Sequence, residues 1–209
     1  MIEKMQRGFG TFGARRIVAE LLVVFVGVTA AFIVEGFRSD LAERQQLRRT
    51  SEGILIELER YQIKALEHAD SIQTRIDRWQ AHDRAGRKAV LDFYRIPGAP
   101  SPPSAAWDAA VSTGVASMFE PELRLALGYF YSEFLGIHQN YIRSLEFIEQ
   151  VALPAVQRGP QAFYDTTGQL RPEFKARISL LLEFSEDLRQ ASVQAGELEA
   201  WLRTGKPPE

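Results

Sequence analysis

The 209 residues carry 25 Lys and Arg against 27 Asp and Glu, a net charge of −2, without the local cation excess that phosphate neutralisation demands of a nucleic-acid binder. None is cysteine, which removes disulfides, thiolate metal sites and thiol nucleophiles. A chain of this length leaves room for one modest core behind its N-terminal segment.

The first 16 residues, MIEKMQRGFGTFGARR, mix Lys4, Arg7, Arg15 and Arg16 with Ile2, Met5, Phe9 and Phe12. That composition suits a segment lying on the inner face of a membrane. Gly8, Gly10 and Gly13 follow no strand and fit neither phosphate-loop spacing, so a nucleotide loop is not indicated.

Residues 17–37, IVAELLVVFVGVTAAFIVEGF, read as a transmembrane helix. A helix rising about 1.5 Å per residue needs about 20 mostly apolar residues to cross a hydrocarbon core roughly 30 Å thick. The uncharged part, 21–34, covers only about 21 Å at that rise, so Glu20 and Glu35 belong near the two interfaces. Arg16 and Arg38 stand at helical spacing from them and offer interfacial ion pairs; the rival reading gives one glutamate an oligomeric pore or proton path. A cleavable signal peptide is disfavoured because Phe32, Ile33 and Val34 carry the apolar run past Thr29-Ala30-Ala31. A soluble core helix would show a polar stripe that this run lacks. Ala19, Val23, Gly27 and Ala31 form a stripe of small and slender residues that allows close helix approach in lipid. Arg15 and Arg16 abut the span on a short tail, while Arg38, Arg44, Arg48 and Arg49 lie on the other flank. The close approach of the Arg pair favours a cytoplasmic N-terminus and a periplasmic C-terminal domain.

Past the span, Leu41, Leu47, Ser51, Ile54, Leu58, Tyr61, Ala65, Ala69, Ile72, Ile76 and Trp79 recur at three- and four-residue steps without an intervening proline. The spacing predicts that the membrane helix continues as a long amphipathic helix, with Gly53 as a candidate bend. Gly86 and 87–94 suggest a helix end or a short extra helix, and the Pro- and Gly-rich stretch near 96–104 is a loop. Ser104 is a candidate N-cap for a helix through Trp107, Ala110, Val111 and Val115. Pro121-Glu122 starts the next, with Leu123, Leu127, Phe130, Phe134, Ile137, Tyr141, Leu145 and Ile148 on one face, and Pro154 should kink or end it. A second loop is expected near 157–171. Pro172-Glu173 then opens a last helix carrying Phe174, Ile178, Leu181, Leu188, Ala195, Leu198 and Leu202, and 204–209 should fray. No period-two segment appears. The fold class is all-α, an N-terminal transmembrane helix continuing into a long amphipathic helix and an antiparallel bundle of about four helices over 38–203.

No chemistry surfaces along the way. His68, His82 and His138 are not at ligand spacing from one another, and neither Glu-x-x-His nor Gly-x-Ser-x-Gly occurs. An enzyme, a metal site and a cofactor are therefore not expected. The aromatic cluster of Trp107, Tyr129, Phe130, Tyr131 and Phe134 is read as core rather than as a ligand pocket.

The stretch ELLVVFVGVTAAFIVEGFR, followed by a charged helix, and the later AAWDAAVSTGVASMFEPELRLALGYFYSEF resemble a family of uncharacterised bacterial membrane proteins classed under a domain of unknown function. That family shows Asn-Trp-Asn where this chain has Glu35-Gly36-Phe37, so Glu35 takes no role from it. The resemblance covers about two-thirds of the chain and implies a bacterial single-pass helical protein, with no activity attached. The leading expectation is a non-enzymatic single-pass inner-membrane protein, possible accessory subunit of a membrane complex, whose partners are the lipid bilayer and either its own copies as a homo-oligomer or another membrane protein, with no nucleic acid. The alternatives are a ligand-sensing ectodomain, or the oligomeric pore using Glu20 or Glu35.

Overall fold

The computed structural model describes residues 9–90, 92 and 103–208, with side chains described from Glu20 onward. The tail before residue 9 and most of the expected 96–104 loop lie outside the described residues. Among those described, the elements are α1 (Phe9–Arg84), α2 (Ala105–Ser112), α3 (Pro121–Phe147), α4 (Leu153–Arg158) and α5 (Pro172–Thr204), with 3₁₀ turns at Val115–Met118 and Pro160–Phe163. The chain is all-helical, and an isolated bridge between Tyr164 and Leu170 is the extent of its β pairing among the described residues.

The chain divides into two compact units, 1–48 and 49–209. In the first, the described residues are helical, and every side chain from Glu20 to Gln46 is exposed. Leu41, expected on the core face, is 59% exposed. It belongs to a stretch whose apolar face finds no protein neighbour within its own unit.

The core lies in the second unit. Ile54, Leu58, Tyr61, Ala65, Ala69, Ile72 and Ile76 are all buried, as the three- and four-residue spacing requires of one helix face. Helix runs through Gly53. A Cβ there would meet the Ala106 Cβ at 3.1 Å, so the glycine permits the close approach of α2. Gly86, at φ +68°, ends α1. Its amide donates to the Asp83 carbonyl, and that of Arg87 donates to the His82 carbonyl, 3.0 Å away, satisfying carbonyls that the helix end leaves open. Residues 87–90 are not helical, which agrees with the helix end rather than the short extra helix among the two readings of this stretch.

Pro121 and Pro172 occupy the first turns of α3 and α5, each followed by a glutamate at the positive helix end. The regular helix α3 ends at Phe147, ahead of Pro154. The preceding residues Ile148–Ala152 widen into a π-turn and α4 follows, since a proline lacks the N–H that the regular ladder would need four residues back. The expected second loop is ordered by its own side chains. Asp165 Oδ1 accepts the amides of Thr167 and Gln169, and Gly168 supplies φ +84°. Phe163 and Tyr164 anchor this turn in the core.

Cross-helix contacts fix the sense of the long helices. Tyr61 meets Phe130 and Phe134, and His68 meets Tyr141, so the residue numbers of α1 and α3 rise together. Against α5 they run oppositely: Gln62 bonds Glu199, and Ser185 bonds the Ala69 carbonyl. Phe147 on Phe174 and Tyr141 on Phe184 show the same opposition between α3 and α5. The parallel pairing of α1 and α3 departs from an arrangement antiparallel throughout. It requires the chain between them to return from Asp92, paired with Arg75, to Ala106, bonded to Glu57.

Candidate functional site

The apolar stretch of α1 contains an 18-residue window of mean hydropathy 2.0, none of it buried, and the helix is long and apolar enough to cross a membrane. Val23, Gly27 and Ala31 are exposed, and a Cβ on Gly27 would meet nothing within 4 Å. The small-residue stripe is thus uncovered within its unit. The side chains of Ala19 and Arg16 lie outside the described residues. Glu20, Glu35 and Arg38 are exposed, and among the described residues no ion pair joins Glu35 to Arg38.

The aromatic cluster is mostly core, with one correction. Tyr61 of α1 inserts between Phe130 and Phe134, with ring centroids 5.5 and 4.0 Å away. Trp107 stacks on Tyr131 at 5.5 Å with an interplanar angle of 3°. Tyr129, however, is 74% exposed. Adjacent helical positions differ by about 100°, so a residue beside the buried Phe130 and two before Tyr131 turns outward. Sequence reasoning grouped Tyr129 with its neighbours by proximity in the chain instead of by helix face.

Three buried polar groups stand out beneath the apolar pattern. Glu57, 8% exposed, sits on α1 but reaches the start of α2. Its Oε1 accepts the Ala106 amide at 2.7 Å and its Oε2 accepts the Tyr131 hydroxyl at 3.0 Å. A helix begins with unsatisfied amides and partial positive charge, and here a carboxylate from another helix supplies the acceptor. Ser104, at the expected cap position, instead donates its hydroxyl to Asp108. Burial nevertheless holds the Glu57 carboxyl above the usual carboxylate range, with the hydrogen bonds from α2 and Tyr131 offsetting part of that shift.

His68 is 4% exposed and lies edge-on to Tyr141 and Phe184 at 5.7 and 5.8 Å. Its Nε2 has no hydrogen-bond partner, and burial pulls its pKa down to about 4, so the ring is a neutral core group at physiological pH. Arg177 is 8% exposed, lies over the Phe147 ring at 5.4 Å and leaves Nη2 buried without a partner. Its pKa is lowered by burial. Sequence reasoning missed Glu57 and Arg177, whose positions on core faces at helical spacing were the available signal.

Several cavities open between these elements. One of about 250 Å³ is lined by Arg143, Ser144, Arg177, Glu183 and Asp187. Another, of about 220 Å³, lies among Tyr129, Phe130, Glu133, Gln194, Glu197 and Trp201. Among the described residues no group of three or more His, Cys, Asp and Glu side chains is placed to hold a metal ion. The chain matches no known protein family, no curated protein and no solved structure.

Proposed function

We propose that this chain is a non-enzymatic, single-pass protein of a bacterial inner membrane whose helical domain assembles with its own copies or with another membrane protein. The observation that carries the reading is the apolar window of α1, with mean hydropathy 2.0 and none of it buried. Water is a poor solvent for so long an uncovered apolar face, and lipid is the natural cover. In this reading residues 17–37 cross the bilayer, Arg15 and Arg16 keep the N-terminal tail in the cytoplasm, and the second unit is a periplasmic bundle in which α5 runs against α1 and α3.

Support for assembly comes from surface left apolar in the second unit. Ile56 and Ile63 stand seven residues apart on α1, and Leu135 and Ile142 likewise on α3, all between 44% and 53% exposed. Seven residues is two helical turns, so each pair forms a short stripe on one face. The exposed Gly27 and Ala31 offer a second contact inside the bilayer.

Crosslinking and native mass spectrometry of the full chain in detergent test the assembly. A dimer or higher species, or a co-purifying membrane protein, is expected, and a strict monomer that brings down nothing refutes it. Because the chain has no cysteine, Lys206→Cys gives one reporter thiol for topology. Labelling of intact cells' periplasm by a membrane-impermeant maleimide is expected, and labelling only after lysis reverses the orientation.

A further inference from the structure

The cavity between α3 and α5 that Arg143, Arg177, Glu183 and Asp187 line holds charges of both signs, and among the described residues none of the four forms an ion pair. Arg177 is 8% exposed, yet among the described residues its guanidinium donates no hydrogen bond, and the Phe147 ring 5.4 Å away is the compensation it finds. Nη2 is wholly buried, whereas Nε and Nη1 are neither fully buried nor hydrogen-bonded, which leaves them as the donors Arg177 presents to the cavity. A guanidinium stays charged inside a protein, so burying one without an acceptor costs free energy. That buried, unanswered cation distinguishes this cavity from a patch of surface charge. Farther along α5, Glu183 and Asp187 are exposed, and Asp187 is held above the usual carboxylate range by partial burial and then by Glu183, Glu133 and Glu186. Side chains on one helix pair at three or four residues. Arg177 stands about 9 Å from Glu183 and about 15 Å from Asp187 along the axis, so α5 does not join them itself. Leu180, 51% exposed, and Phe184 occupy the interval.

We propose that this cavity binds a small amino acid, its carboxylate on Arg177 and Arg143, its ammonium on Glu183 and Asp187, and its methylene groups against Leu180 and Phe184. A simple anion would satisfy the arginines and face two unanswered carboxylates, and a simple amine would do the reverse. An apolar guest would leave the Arg177 donors unpaired. A zwitterion answers both signs through charge-assisted hydrogen bonds. The volume of about 250 Å³ equals about eight water volumes at roughly 30 Å³ each, which accommodates a guest of about seven heavy atoms such as 4-aminobutyrate. All six residues belong to the second unit and none is in its apolar stripes, so the proposal stands or falls independently of the span and of assembly.

The test is calorimetric titration of the full chain in maltoside detergent with glycine, 4-aminobutyrate and 5-aminovalerate, using butyrate and butylamine as guests that each lack one charge. At least one amino acid is expected to bind at least about tenfold more tightly than both single-charge guests. Arg177→Met, which keeps an apolar stem and removes the buried charge, should erase the preference for that amino acid over butylamine. Glu183→Gln, at an exposed position, should reduce its preference over butyrate by about threefold to tenfold. Should Arg177→Met fail to fold, the exposed Arg143→Gln takes its place, with a loss of about threefold to tenfold in amino acid binding. Absence of binding by all three amino acids at millimolar concentration overturns the proposal, as does equal binding of the amino acids and both single-charge guests. Amino acid binding unaffected by the arginine variant and by Glu183→Gln, each with wild-type circular dichroism, overturns it too.

Discussion

His68 makes the fold of the second unit sensitive to mild acid, and the size of the effect follows from its surroundings. The ring is buried between Tyr141 and Phe184 with its Nε2 unpartnered, and its pKa falls from 6.5 to about 4. In the unfolded chain the imidazole protonates near 6.5, while in the folded chain it stays neutral until about pH 4. Between those values the unfolded state holds more protons, so stability rises with pH and is lost as pH falls through this window. One pKa unit corresponds to about 1.36 kcal/mol. Integrating the two titrations between pH 7 and pH 4.5 gives a loss of about 2–3 kcal/mol from this residue. The assay is reversible urea unfolding of the detergent-solubilised chain followed by tryptophan fluorescence, since Trp79, Trp107 and Trp201 all lie in the second unit. His68→Leu removes the titrating group, and carboxylates common to both proteins cancel in the difference. The wild-type minus variant stability should therefore fall by about 2–3 kcal/mol on going from pH 7 to pH 4.5. A difference that does not change with pH would refute the reasoning.

Two further perturbations probe the seat of α2. Glu57→Ala strips the acceptor from the Ala106 amide and the Tyr131 hydroxyl and should cost about 2–5 kcal/mol by urea denaturation at pH 7. Glu57→Gln keeps an acceptor for the amide and a partner for the hydroxyl and should stay within about 1 kcal/mol. Because the Glu57 carboxyl is raised in the fold, its contribution is most favourable below the ordinary carboxylate pKa and declines as pH rises through the folded value, so the glutamine variant should lose that part of the pH dependence. Gly53→Val drives a branched side chain into Ala106, already 3.1 Å from a bare Cβ, and should cost about 1–3 kcal/mol as overpacking; a melting temperature equal to wild type would show that α2 is not held there.

Local chemistry made much of the architecture legible. The uninterrupted apolar spacing from Ile54 to Ile76, the Pro-Glu starts at Pro121 and Pro172, and the helix-ending Gly86 are decided within a turn or two of chain, and each appears where its spacing places it. The apolar run of 17–37 is likewise a property of composition and length. Pro154 was read as a kink or an end, and the regular helix α3 does end ahead of it; a proline states only that one hydrogen bond is missing, whereas the π-turn at Ile148–Ala152 shows how the neighbouring backbone absorbs the loss.

The sequence by itself therefore determined that this protein is helical, where most of its helices start and stop, and that one stretch is apolar enough to cross a bilayer, because those properties rest on residues three or four places apart. Only the tertiary structure decided that α3 runs with α1 and α5 against both, that Glu57 finds its Tyr131 partner 74 residues away, and that Tyr129 stays exposed while Phe130 and Tyr131 are buried. Helical periodicity tells which residues share a face. It carries no record of which face that one meets, and the cavities and buried polar contacts exist only after the faces have met.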